Sequence, residues 1–393
     1  MMSQARPNQA INLPLPARET GAREEISLSS STSDLGGAVQ KPARSRALDV
    51  LRGLTVLLML LVNNVSLDYL TPTQLQHAPW GGGITVADWV FPWFLFCAGV
   101  SLPLSYASHR KKGKTYLEWA FKALTRAVLL LLIGSFLESV LLNTPYLGLG
   151  VLQLIGFAGL GAALLVPLSL EKRLGGALVL LVGYQFALLH LGWNAHLPGT
   201  FEEGRNLVSA LNNSLNTYGL QGLPSLVPTT ALLILASCVG EILRSSKSYF
   251  EKALRLALSG GLMMLLGWAL GLALEFNKAV WTPSYILFTG GLATVFLAAL
   301  VLGVDALKTQ LLPFPLLVLG SNALLAYILP ILGKSWVLEQ WTIGGQTLSS
   351  RWLGALVDDW GRAGGGWIFT WGFIAFWWAV IAYCNKRGWF LSV

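Results

Sequence analysis

Ten apolar runs, each close to the length that crosses a bilayer, divide this chain. They are 48–67, 85–107, 119–142, 149–168, 174–192, 225–243, 253–274, 283–303, 312–333 and 365–384. A spanning helix needs about 20 predominantly apolar residues. In hydrocarbon every backbone polar group must be satisfied within the protein, which restricts such runs to helices. The expected fold class is therefore all-α, a polytopic transmembrane helix bundle of about ten spans. Only 12% of the residues are charged and 54% are hydrophobic, against about 25% charged in soluble domains. The 16 Trp and 42 Gly suit interfacial anchoring and close helix packing. Pro92, Pro103, Pro167 and Pro330 lie in or near the runs, where neighbouring helices can satisfy freed carbonyls.

Basic residues sort by loop. Arg44 and Arg46 precede the first run. Alternate connections hold Arg110, Lys111, Lys112 and Lys114, then Lys172 and Arg173, then Arg244, Lys247 and Lys252, then Lys308, and Lys386 with Arg387 follow the last run. The other connections carry Arg205, Lys278, Lys334, Arg351 and Arg362. The positive-inside rule then sets both termini in the cytoplasm. The net charge of +8 reads as a topology signal facing anionic headgroups of the lipid bilayer, with no nucleic-acid partner. Residues 1–45 are polar and rich in Ser, Pro and Ala, the composition of a disordered cytoplasmic tail. They precede a membrane domain over 46–393. The expected location is the cell (inner) membrane, as a multi-pass protein. Gly-rich helix faces point to a homodimer. Cys97, Cys238 and Cys384 are isolated in apolar runs and read as small buried hydrophobes. No His, Cys or carboxylate set has ligand spacing, so no metal is expected.

The densest polar cluster runs from Asn63 to Asp88. It holds Asn63-Asn64 at the end of the first run, His77-Ala78-Pro79-Trp80 with Gly81 to Gly83, and Asp88 opening the second run. Ionisable groups at membrane depth are costly and are functional candidates by default. A carboxylate beside an imidazole fixes its tautomer, as a general base acting on an amine or hydroxyl requires. The Asn63 amide can donate to a developing oxyanion. His77, Asn63 and Asp88 are accordingly the catalytic candidates. Two plainer roles stand beside this one: His77 as a solvated interfacial histidine, and Asp88 as a cap on the second helix. Arg46, Asp49 and Arg52 share a helical face. They form either an ion-pair ladder at the membrane surface or a phosphate-binding edge. Arg126, with Lys111 and Lys112, adds weaker phosphate candidates. Glu138, Gln153, Asn277, Lys278, Asp305 and Asn322 read as inter-helix hydrogen-bonding groups. The chain has no phosphate-binding glycine loop, no G-x-S-x-G elbow and no H-E-x-x-H.

The stretch from Arg46 to Ser105 contains RALDVLRGLTVLLMLLVNN and HAPWGGGITVADWVFPWFLFCAGVSLPLS. In its order of L-D-x-x-R-G, V-N, H-A-x-W, T-x-A-D and F-P-W-F-x-F it resembles the heparan-α-glucosaminide N-acetyltransferase family, including bacterial membrane relatives. The resemblance continues through Gly150-Val151-Leu152-Gln153, His196-Leu197-Pro198-Gly199, the Asn277-Lys278 to Tyr285 segment and Gly320-Ser321-Asn322-Ala323-Leu324. It implies transfer of acetyl from cytoplasmic acetyl-CoA, a co-substrate, to a glucosamine-type amine on the far side. It carries the family's essential histidine onto His77 and its nearby asparagine onto Asn63. Arg46, Arg52, Gln153 and Arg126 are the expected acetyl-CoA contacts. The chain departs from the pattern at Leu154, where the family has Arg.

The function expected is thus a transmembrane acyltransferase with acetyl-CoA as donor and an amino sugar or related glycan as acceptor. The alternative is a membrane carrier or flippase for a sugar or lipid-linked sugar, using the same bundle without covalent chemistry.

Overall fold

A computed structural model describes residues 45–193, 198–216, 220–308 and 314–391. The expected tail over 1–45 lies outside these residues, apart from Ser45. The described chain is an all-α polytopic bundle.

Eight helices are long and apolar enough to cross a membrane: α1 (Arg46–Asn64), α2 (Val86–Lys111), α3 (Tyr116–Leu142), α5 (Leu170–His190), α7 (Leu226–Arg244), α8 (Tyr249–Gly271), α9 (Pro283–Leu300) and α12 (Leu348–Lys386). The sequence predicts about ten spans; among the described residues eight helices qualify, or nine if one bent pair is a single span, and the other two expected runs differ in geometry. Helix α4 (Val151–Leu165) has 15 residues. The run expected as one helix over 312–333 is broken: α10 (Phe314–Ser321) and α11 (Ala323–Leu332) meet at 81°. The break falls at Asn322, not at Pro330, which continues inside α11. Helix α6 (Leu207–Asn216) and a hairpin of β1 (Thr342–Ile343) with β2 (Gln346–Thr347) lie in connections. Helix α12 starts earlier than the expected residue 365 and is interrupted at Gly361, whose φ is 70°.

Hydrogen bonds collect the connections at two ends. At one end Ser45 Oγ donates to Asp305 at 3.0 Å, Trp119 Nε1 to the Ala163 carbonyl at 2.9 Å, and Arg173 Nη2 to Glu241 at 2.9 Å. These are the arginine- and lysine-rich connections, and this end is called the basic end below. At the other end the Ser66 amide donates to Thr370 Oγ1 at 3.1 Å, Tyr184 to the Val280 carbonyl at 2.8 Å, and Leu149 N to the Gln221 carbonyl at 2.9 Å.

Close approaches depend on glycine. A Cβ on Gly53 would stand 1.8 Å from the Leu316 carbonyl oxygen, and one on Gly320 would stand 1.9 Å from that of Asp49. The two glycines therefore let the backbones of α1 and α10 touch, which holds the broken helix against α1.

Pro92 offers no N–H, so the Asp88 carbonyl one turn earlier loses its helical donor. The Tyr285 hydroxyl from α9 donates to that carbonyl instead, at 2.6 Å, and Tyr285 is fully buried. Tyr285→Phe should therefore lower stability by about 1–3 kcal/mol, the desolvation cost of an orphaned buried carbonyl. Thermal unfolding in detergent micelles measures it. In a Pro92→Ala background, where an N–H is restored, the same change should cost clearly less. Equal losses in both backgrounds would disprove the exchange of donors.

Candidate active site

Asp88 is 1% exposed and stands in the first turn of α2, where the helix N-terminus favours a carboxylate. Its Oδ2 accepts from the Thr85 amide at 3.1 Å and the Ala78 amide at 3.1 Å. The first bond caps α2. The second fixes the residue next to His77. Its Oδ1 lies 2.9 Å from His77 Nδ1. The two sequence roles for Asp88, cap and imidazole partner, are thus held by one side chain at once.

Lys278 completes the group. Its Nζ lies 3.4 Å from Asp88 Oδ1, 2.9 Å from His77 Nδ1 and 3.2 Å from His77 Nε2. An ionised carboxylate only accepts and an ammonium only donates. Nδ1 therefore carries the proton given to Asp88, and the Lys278 ammonium sits beside the ring within reach of both nitrogens. Burial holds the Lys278 ammonium below the usual lysine range, while the Asp88 charge opposes that shift.

The loop between α8 and α9 presents Lys278 through its own hydrogen bonds. Asn277 Oδ1 accepts from the Ala279 amide at 2.9 Å. The Asn277 amide donates to Thr282 Oγ1 at 3.1 Å, and Ser284 Oγ donates to the Leu274 carbonyl at 2.9 Å. Trp281 takes a φ of 54° and packs edge-on against Phe91 and Tyr285. The Asn277 to Tyr285 motif therefore serves as a bracket for one lysine.

His77 is 55% exposed at its side chain and faces a cavity of about 230 Å³. Asn63, Lys278, Phe91, Phe94, Leu152 and Tyr327 also line it. Asn63 and His77 come from opposite sides of a long connection and share this wall. The Asn63 carbonyl accepts from Lys334 at 3.3 Å, which leaves its amide side chain available to the cavity.

A second cavity of about 230 Å³ lies nearer the basic end. Arg52, Arg126, Ser101, Gly320, Ser321 and Leu324 line it, and so do Phe94 and Leu152. Arg52 Nη2 donates to Ser101 Oγ at 2.9 Å, and its Nη1 lies 3.0 Å from Asp49. Arg126 donates no hydrogen bond and forms no ion pair among the described residues. Two guanidiniums thus meet one carboxylate, an excess of positive charge that suits an anion. The start of α11 adds its positive dipole end to the same wall. A further cavity of about 180 Å³ continues from Ser101, Arg126 and Ile155 to Lys122.

Of the expected donor contacts, Arg52 and Arg126 are brought together. Arg46 is exposed in the first turn of α1 and lines neither of these cavities. Gln153 is fully buried and lines a third cavity, with Glu138 and Tyr146. Among the described residues no group of three or more His, Cys, Asp or Glu could hold a metal. His196 and Leu197 lie outside the described residues.

The model of the catalytic region of heparan-alpha-glucosaminide N-acetyltransferase matches residues 44–205, which contain Asn63, His77 and Asp88. Over those residues the chain is similar to the heparan-alpha-glucosaminide N-acetyltransferase family. The human enzyme of that name is 36% identical over 137 residues, 32% of this chain and 20% of the human protein. The mouse enzyme is 41% identical over 91 residues, 23% of this chain and 13% of the mouse protein. The matched region therefore spans about a fifth or less of the length of these relatives. Lys278 and Tyr327 lie beyond the residues matched to the family. In the sequence Lys278 reads as an inter-helix hydrogen-bonding group and as part of a motif, with no sign that it reaches His77.

If contact with the Lys278 ammonium restrains the unprotonated ring nitrogen, then Lys278→Met should release it. Modification of His77 by diethyl pyrocarbonate should then speed up. A hydrogen bond is worth about 0.5–1.5 kcal/mol net, so the expected acceleration is on the order of two- to tenfold. Mass spectrometry of the modified peptide reads the rate. An unchanged or slower rate would mean that the ammonium beside the ring does not restrain that nitrogen.

Proposed function

We propose that the chain is a transmembrane acyltransferase. It moves an acetyl group from acetyl-CoA, bound from the cytoplasmic side, to an amino sugar or related glycan on the opposite side. In this reading both termini are cytoplasmic, the basic end faces the cytoplasm, and the protein sits in the cell (inner) membrane. The observation that carries the proposal is that Phe94 and Leu152 wall both the arginine cavity and the His77 cavity. A partition of side chains, not of helices, separates an anion-attracting pocket from a tautomer-locked imidazole. The relatives' printed activity, N-acetyl transfer to a glucosaminide, fits the same arrangement.

The lengths agree. Arg52 and Asn63 are eleven residues apart on α1, about 16 Å at a rise of about 1.5 Å per residue. That is roughly half of a bilayer core about 30 Å thick. A donor anchored by its phosphates at Arg52 and Arg126 need not cross the membrane. Only its thioester end must reach the partition.

Acetyl-CoA supplies a thioester carbonyl that an amine can attack. His77 Nε2 takes the proton from the attacking nitrogen as the C–N bond forms and the C–S bond breaks. Asp88 holds the ring in the required tautomer and favours the imidazolium that results. Lys278 and Asn63 line the same cavity as the ring, so the ammonium and the Asn63 amide are the donors that would face the developing oxyanion.

His77→Ala should lower acetyl transfer to a glucosamine acceptor by about 100- to 10,000-fold, the range for general acid–base catalysis. Acetyl-CoA binding should be retained. Near-normal transfer by this variant would remove His77 as the general base, and absence of transfer by the unaltered protein would favour the carrier reading. Separately, the Arg52→Gln, Arg126→Gln double variant should weaken acetyl-CoA binding about tenfold or more, since hydrogen bonds to charged groups are the stronger class. Calorimetry on the purified protein measures this, and unchanged affinity would move the donor site elsewhere.

A further inference from the structure

The third cavity, of about 450 Å³, has no part in the donor path. It lies where α3 ends and α4 begins, at the end opposite the basic connections. Gln153 forms its floor. That side chain is fully buried, and neither its amide nitrogen nor its amide oxygen has a hydrogen-bond partner. A buried amide with both ends unpaired is costly and calls for a ligand that both donates and accepts. Gly134 makes room for it, because a Cβ there would stand 2.4 Å from Gln153 Oε1. Glu138 and Tyr146 line the same cavity. Glu138 has no ion-pair partner among the described residues, at a depth where a carboxylate is expensive to keep. Burial and the Glu138 charge push the Tyr146 phenol above its usual range, so it remains a neutral hydroxyl.

Two walls locate the cavity functionally. Leu141 and Leu142 line it and are more than half exposed on the outer surface of α3, where an apolar side chain meets lipid. Tyr327, Val151 and Leu152 line both this cavity and that of His77. The space therefore runs from the lipid-facing surface to the partner wall of the imidazole. No Lys or Arg lines it, which disfavours a phosphate.

We propose that this cavity is a lateral port for the sugar headgroup of a lipid-borne amino sugar. The ring enters between α3 and α4, with its ammonium on Glu138 and its hydroxyls on Gln153 and Tyr146. Its apolar chain stays against Leu141 and Leu142. Identifying this headgroup with the acetyl acceptor rests on the transferase reading; its binding does not.

The test is direct binding to the full chain in lipid nanodiscs, without acetyl-CoA. The probes are radiolabelled dodecyl β-glucosaminide, methyl β-glucosaminide, dodecyl β-glucoside and dodecyl phosphate. The dodecyl glucosaminide should bind at least about tenfold more tightly than each of the others, the scale of one charge-assisted hydrogen bond. Glu138→Gln should erase its advantage over dodecyl glucoside, and Gln153→Leu should weaken both glycosides. Gel filtration and melting temperature check that the variants are folded. Methyl glucosaminide binding as tightly as the dodecyl form would overturn the lipid-borne source, and equal binding of dodecyl phosphate would overturn the sugar site. If the unaltered protein shows the preference and folded variants keep it, the site lies elsewhere and the proposal falls. Tight binding of dodecyl glucosaminide that stays unacetylated when acetyl-CoA is then supplied would leave the port standing and remove the transferase reading instead.

Discussion

A carbonyl or amide left without a partner in hydrocarbon costs several kcal/mol, and this chain interrupts its helices in the region where its polar side chains collect. Three of these interruptions are repaired by identifiable side chains. The carbonyl freed by Pro92 receives the Tyr285 hydroxyl. The break at Asn322 is held by Asn385, whose amide donates to the Val318 carbonyl at 2.8 Å and to Ser321 Oγ at 2.9 Å. Asn322 itself donates to the Trp389 carbonyl at 2.8 Å. The turn before α9 is stitched by Asn277 and Thr282. Irregular backbone survives at membrane depth only where protein or a cavity covers it. Two of these repairs border the proposed working parts: Gly320, Ser321 and Ala323 face the arginine cavity, and the Asn277 loop carries Lys278.

Charge in the bundle is distributed by the same logic. Where an ion pair can close, it does: Arg173 with Glu241, Arg52 with Asp49. Three groups stand apart from this pattern. Among the described residues Arg126 has no counterion and Glu138 has none, and Lys278 shares Asp88 with His77. Each of the three lines a different cavity, and Leu152 lines all three cavities. An anion, an ammonium and a developing oxyanion are the complements these groups require. A bundle that joins one pocket for each around a single leucine has the layout of a two-substrate transfer.

The positions of the helices could be read from the sequence because the bilayer imposes length and apolarity on every span, and the Asn63, His77, Asp88 constellation could be read because it is compact along the chain. The broken helix could not. Residues 314–332 are almost wholly apolar, Pro330 is the louder signal of a kink, and the side chain that sustains the break at Asn322 comes from Asn385, 63 residues later. Lys278 was hidden for the same reason: 201 residues separate it from His77. Gln153 was legible as a polar residue of interest, but only the fold shows that it faces Gly134 and Glu138 and not the arginines. Sequence reasoning recognises local chemistry and misses what distant segments lend to it.

One carboxylate, Asp88, both starts α2 and steers the imidazole. The consequence concerns inheritance more than chemistry. A variant at this position loses the helix start and the ring orientation together, so defective molecules would be cleared by cellular quality control before their chemistry could be assayed. Drift at position 88 is therefore constrained at biogenesis, whatever the imidazole beside it does.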